Sequence, residues 1–210
     1  MPAVPQPRVA RTRPPARAVA PVRSAPIGQA PIRLEVPGRT LVLVAGMPGA
    51  GKSTLLAGLP HRPDTVVLDS DEHRAALARR FPRLPYRRYR GLVHLRHRVA
   101  VVHAACSGAP TVVVHLPATS VVLRTAAAVL AALTGRAAHL LWLHVDTDEA
   151  LRGQRERGRL VPSASFAGHA RRAVAAGEAL RAGRAPGWRT VTVVDRAAAR
   201  AGLVLDTRLP

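Results

Sequence analysis

Nine consecutive residues, Gly46, Met47, Pro48, Gly49, Ala50, Gly51, Lys52, Ser53 and Thr54, have the types and spacing of a phosphate cradle. They fit the pattern G-x-x-x-x-G-K-[ST]. Its glycines let the backbone turn so that consecutive N–H groups point inward at phosphate oxygens. A helix starting at the end of such a loop adds its positive dipole end. In this pattern the lysine reaches the β- and γ-phosphates of a nucleoside triphosphate, and the Ser53 hydroxyl is a ligand for Mg²⁺. Of the 32 basic residues only Lys52 is lysine, so the other 31 are arginine. The one compact ammonium of the chain therefore falls where a planar guanidinium is a poor substitute.

A second group of chemically capable residues follows at Asp69-Ser-Asp71-Glu-His-Arg74. An Asp-x-Asp at a strand end has the chemistry to take a proton from a substrate hydroxyl and to hold a magnesium-bound water, with Asp69 the expected metal partner of Ser53. Arg74, one turn on, suits an anionic acceptor. The same residues also make a helix N-terminus, with a cap at Ser70 or Asp71 and acids in the first turn. The two readings are compatible.

These residues need a scaffold, and the apolar pattern supplies one. Short apolar runs at 41–45, 65–69, 111–115, 140–146 and 190–195 have the look of buried parallel strands. Helix-length segments at 53–59, 72–80, 86–107, 120–133, 148–157, 165–181 and 197–202 alternate with them. Strand–helix alternation predicts an α/β fold, a mainly parallel five-stranded sheet covered by helices on both faces. Ligands bind such sheets beyond the carboxyl ends of the strands. Three of the five strands end there on aspartate: Asp69, Asp146 and Asp195.

Over residues 38–205 the chain resembles the P-loop kinases related to polynucleotide 5′-hydroxyl kinase, zeta toxin and chloramphenicol phosphotransferase, a group of AAA-family ATP-binding proteins. The resemblance rests on the Gly46–Thr54 loop, on Asp71-x-x-Arg74 and on Gln154-Arg155-Glu156-Arg157-Gly158-Arg159. It implies a P-loop NTPase three-layer sandwich with a small helical lid at about 152–165. ATP and Mg²⁺ would be bound, and the γ-phosphoryl transferred to an acceptor hydroxyl. Carried over residue by residue, Asp71 is the general base, Lys52 and the lid residues Arg155 and Arg157 act on the phosphates, and Arg74 contacts the acceptor. Arg196, after the fifth strand, borders the adenine. One position departs from the group: where polynucleotide kinases place an acid after the third strand, this chain has Leu116. Three functional classes follow: a kinase with an unidentified acceptor, favoured by Asp71-x-x-Arg74; a nucleotide-binding NTPase or pseudo-kinase switch, favoured by Leu116; and an ATP-regulated nucleic-acid-binding module.

The remaining sequence bounds these readings. At 210 residues one domain fits comfortably, with 32–210 as its expected extent. Residues 1–31 carry eight prolines, scattered arginines and no periodic apolar pattern, and are expected to be a disordered tail. A net charge of +20 favours anionic partners, but an Arg-, Ala-, Val-, Gly- and Pro-rich composition also reflects a GC-rich coding sequence, so a nucleic-acid partner is not the favoured reading. Tyr86-Arg-Arg-Tyr89-Arg90 interleaves base and aromatic, suited either to stacking nucleobases or to anchoring a solvated basic helix. His94 and His97 share a helix face with no neighbouring carboxylate, a weak metal signal. The single cysteine, Cys106, excludes an internal disulfide and fits a reducing cytoplasm. Residues 99–123 lack Asp, Glu, Lys and Arg, yet their central Ser-Gly-Ala-Pro turn reads as helix, turn and strand, and no membrane span is expected.

Overall fold

The computed structural model describes residues 22–24, 30–156, 158 and 162–207. All five expected strands form: β3 (Thr40–Gly46), β4 (Thr65–Leu68), β5 (Thr111–His115), β6 (Ala137–Leu143) and β7 (Thr190–Val194). A short strand, β1 (Val22–Ser24), extends one edge, so the parallel sheet runs β1-β7-β6-β3-β5-β4. Residues 22–24 correct the expectation of a tail without order through residue 31. They pair with Val191, Thr192 and Val193, and Val22 packs on the core. The backbone of β7 offers a free edge there, and three residues suffice to satisfy it. The remainder of the tail up to residue 29 lies outside the described residues.

A second pairing was not expected. β2 (Ile32–Glu35) lies parallel to β8 (Leu203–Asp206), in register Ile32 with Leu203. The alternation of Ile32 and Leu34 inward with Arg33 and Glu35 outward follows the two-residue period of a half-buried strand.

The helices are α1 (Lys52–Ala57), α2 (Ser70–Arg80), α3 (Tyr86–Cys106), α4 (Val121–Leu133), α5 (Thr147–Arg155), α6 (Ser163–Arg181) and α7 (Arg196–Ala201). The sheet is wholly buried at its centre: every residue of β3 and β5 is buried, as continuous Leu/Val runs require when both faces are covered. The strand order, with the right-handed crossovers that parallel strands nearly always make, assigns α1 to one face and α3, α4 and α6 to the other, the three layers of a P-loop NTPase sandwich. Among the described residues, no helix is long and apolar enough to cross a membrane. The charge-free stretch 99–123 is the end of α3, a turn, β5 and the start of α4.

Strand order positions the site. From β3 the chain moves towards β4, and from β6 it moves the other way, towards β7. β3 and β6 are neighbours, so their carboxyl ends flank the switch point where open α/β sheets bind ligands. The loop leaving β3 is Met47–Gly51.

Candidate functional site

The loop between β3 and α1 turns through positive φ angles at Gly49 (92°) and Gly51 (101°), values that residues with a Cβ rarely adopt. Gly49 is needed for a second reason. A Cβ there would overlap the carbonyl oxygen of Ala150 on α5, and a Cβ on Gly153 would overlap the Gly49 carbonyl. Loop and α5 are thus in backbone contact, fastened by the Gln154 amide, which donates to Pro48 O at 3.2 Å. At Gly51 the same test finds open space.

Lys52 opens α1 and is only 4% exposed. Its Nζ donates to the carbonyls of Gly46 and Met47, both at 2.8 Å, so the ammonium lies under the loop it follows. Ser53 is half-buried and Thr54 exposed.

Across the cleft, Asp69 ends β4 and caps α2: its Oδ1 accepts from the Asp71 N–H at 3.0 Å. The same oxygen accepts from His115 Nδ1 at 2.6 Å, and the Ser53 hydroxyl lies beside this carboxylate. Burial alone would raise the Asp69 pKa, but the His115 hydrogen bond and charge, the Asp71 N–H and the Ser53 hydroxyl outweigh it and hold it at about 2. An Asp69 carboxyl ¹³C titration is therefore expected to show a midpoint near 2 instead of 3.8. The folded-state value is depressed, so the stability this carboxylate contributes is complete above about pH 4 and is lost as pH falls towards 2. A midpoint at or above the ordinary value would mean that the His115 contact is not formed in solution.

Asp146 and Asp195, the other strand-end aspartates, likewise cap helices, accepting from Glu149 N–H at 2.8 Å and Ala198 N–H at 2.7 Å. Asp71 sits half-buried in the first turn of α2, two residues beyond Asp69. Arg74, one turn further, lies over the Tyr86 ring with its guanidinium carbon 4.5 Å from the centroid, on the side where α2 meets α3. Arg196 donates to Glu149 O at 2.6 Å and to Glu156 Oε2 at 2.8 Å. With Gly51, Thr54 and Ala199 it lines an open pocket of about 220 Å³ beside the loop. Arg155 is exposed in the last turn of α5. Arg157 and residues 159–161 of the expected lid at 152–165 lie outside the described residues.

The structure thus brings Lys52, Ser53, Asp69, Asp71 and Arg196 to one end of the sheet. It also settles two open alternatives. Tyr89 is buried and Tyr86 packs beside it in a cluster with Leu77, Phe81 and Val93, so these rings anchor α3 and are not platforms for bases. His94 is exposed while His97 is 1% exposed, so the two do not face a common space. Leu116 is half-buried and packs against the core.

Two contacts near the loop were missed from sequence. His115 closes the otherwise apolar run Thr111-Val-Val-Val, and a polar residue at the ligand end of a buried strand was an available signal. His169 on α6 contacts the Thr119 hydroxyl at 3.0 Å (Nδ1 to Oγ1). Burial, and then the charges of Arg172, Lys52 and Arg90, pushes its pKa down.

Among solved structures the chain is similar to one from the PezAT toxin–antitoxin system of Streptococcus pneumoniae, at 16% identity and a TM-score of 0.45, over 58% of this chain and 53% of that one. The present chain thus spans about half the length of that relative. A candidate kinase of Chloroflexus aurantiacus matches at 19% identity and a TM-score of 0.47, over 75% and 88% of the two chains. The tunicamycin resistance protein of Deinococcus radiodurans matches at 16% identity and a TM-score of 0.44, over 79% and 97%. No curated protein matches the sequence. The AAA domain family matches residues 41–177, from the strand that feeds the phosphate loop to late in α6, and the chain belongs to that family.

Proposed function

We propose that this protein binds ATP with Mg²⁺ on the Gly46–Thr54 loop and transfers the γ-phosphoryl group to a hydroxyl of an acceptor not yet identified. The observation that carries this reading is the loop itself, at the switch point of the sheet. It has glycines in positive φ, the only lysine of the chain buried beneath it, and open space above Gly51. Met47, Pro48 and Ala50 complete the cradle, and Arg196 with its neighbouring pocket takes the adenine side.

The residues present suit a magnesium ion. Ser53 and Asp69 bring a hydroxyl and an ionised carboxylate together at the loop, the hard oxygen donors that this cation prefers. When bound, magnesium neutralises charge on the phosphates. The chain's own residues do the rest. Lys52 compensates triphosphate charge from below. Arg155 and Arg157 act on the phosphates from the lid. Arg74, its guanidinium over the Tyr86 ring, receives an anionic acceptor. Asp71 orients the acceptor hydroxyl and takes its proton.

Labelled ATP incubated with the full chain, Mg²⁺ and a panel of nucleic-acid 5′-ends, nucleosides, sugar nucleotides and aminoglycosides tests this function. Label is expected on one acceptor class. Binding of ATP with no transfer to any of them would favour the second reading, a nucleotide-binding switch, for which Leu116 in place of an acid is the supporting observation.

A further inference from the structure

We propose that His115 is a positioning residue for the magnesium site: its Nδ1–H fixes the Asp69 carboxylate in the orientation that leaves one oxygen for the metal's shell. The inference rests on the nucleotide and magnesium reading above and adds a residue that neither the phosphate-loop pattern nor the Asp71-x-x-Arg74 motif contains.

Three observations carry it. First, Asp69 Oδ1 is doubly engaged, by His115 Nδ1 at 2.6 Å and by the Asp71 N–H at 3.0 Å, so both contacts fall on one oxygen and Oδ2 takes neither. The helix cap needs only the Asp71 N–H. The imidazole is a further donor, and an acceptor-only carboxylate requires that Nδ1 carry the proton. Second, the pair is secluded: the two side chains are 11% and 16% exposed, where a charge-assisted hydrogen bond is little weakened by water. Third, His115 is itself held. In the sheet it pairs with Val44 on β3, while β4 and β5 run in register Leu68 with Val114, which brings the next residues, Asp69 and His115, side by side. Its carbonyl oxygen accepts from Nε2 of His97 at 3.0 Å. His97 is buried, and its ring meets that of His73 edge-on at 5.4 Å. A chain of contacts therefore runs from α3 through the end of β5 to the end of β4, and through Ser53 to the phosphate loop.

Partners that orient a metal-bound carboxylate commonly change metal affinity by 10- to 100-fold when removed. The test is calorimetric titration of ATP into the full chain at a series of Mg²⁺ concentrations, for the parent and three variants. His115→Phe keeps the ring volume without the donor. His115→Gln carries its N–H one bond too far, and His115→Asn places an N–H close to where Nδ1 lies. The Mg²⁺ concentration giving half of the gain in ATP affinity is expected to rise about 10- to 100-fold in His115→Phe and His115→Gln, and to stay near the parent's in His115→Asn. ATP affinity without Mg²⁺ should be the same in all four, which a general structural defect would not preserve. Should His115→Phe fail to fold, the Gln and Asn pair decides the matter. A parent that needs Mg²⁺ alongside a His115→Gln variant with the same requirement overturns the role of His115 alone. A parent whose ATP affinity ignores Mg²⁺ overturns the magnesium reading, and this inference with it.

Discussion

Asp71→Asn is expected to slow phosphoryl transfer by about a hundredfold or more, while ATP affinity and melting temperature stay at their parental values. Transfer depends chiefly on positioning and on neutralising charge around the moving group. A carboxylate at the acceptor hydroxyl adds proton removal, typically worth 10²–10⁴-fold, on the order of 3–5 kcal/mol. The amide keeps the shape and loses the basicity. The α2 cap should be preserved because Asp71 serves it through its backbone N–H, which donates to Asp69 and is unchanged by the substitution. ATP affinity should be unaffected because the phosphates rest on the loop and Lys52. Rates are measured with the acceptor that the labelled-ATP panel returns. Parental speed in Asp71→Asn would move the base elsewhere, with Asp69 the next candidate.

Arg136→Met is expected to cost about 3–5 kcal/mol of stability, because hydrogen bonds to a charged group contribute about 1.5–3 kcal/mol each and do not add fully. Arg136 is 4% exposed and stands at the start of β6, after the left-handed turn at Gly135. Its guanidinium closes the C-terminal end of α3: Nε donates to Ala105 O at 2.7 Å and Nη2 to Ser107 O at 2.9 Å. Nη1 reaches on to Ala109 O at 2.9 Å and Pro110 O at 3.1 Å, on the approach to β5. A helix C-terminus leaves carbonyls without partners and carries partial negative charge, so one planar cation satisfies several acceptors and the dipole together. Met fills the volume and strands those carbonyls. For a chain of this size the loss corresponds to a fall in melting temperature on the order of 10 °C. Arg136→Lys keeps the charge without the fork and should fall between. An unchanged melting temperature in Arg136→Met would show that water takes over these carbonyls.

What could be read from sequence was what is local. The phosphate loop is a contiguous pattern, and the five central strands are contiguous apolar runs, so both were legible before any tertiary contact. The α2 cap falls on Asp69, one residue ahead of the expected Ser70 or Asp71, and the caps at Asp146 and Asp195 were not read from the sequence. The pairing of Ile32–Glu35 with Leu203–Asp206 was not, because two four-residue segments from opposite ends of the domain reveal no partner to each other. Val22–Ser24 was hidden by its surroundings, since three residues among prolines and arginines carry no period. The contact of His115 with Asp69 depends on the register of two parallel strands, and a one-residue slip would turn either side chain to the opposite face. Arg136 was concealed by composition: among 31 arginines, one that is buried looks like any other in sequence.

The central claim is that the Gly46–Thr54 loop holds a nucleoside triphosphate, and calorimetric titration of ATP with Mg²⁺ into the full chain and into Lys52→Ala tests it most directly. The parent should give a saturable isotherm. In the variant the triphosphate loses the one ammonium beneath the loop, and affinity should fall at least about tenfold, roughly 1.4 kcal/mol. A folded Lys52→Ala protein that binds ATP as tightly as the parent, or a parent that does not bind it, would contradict the account.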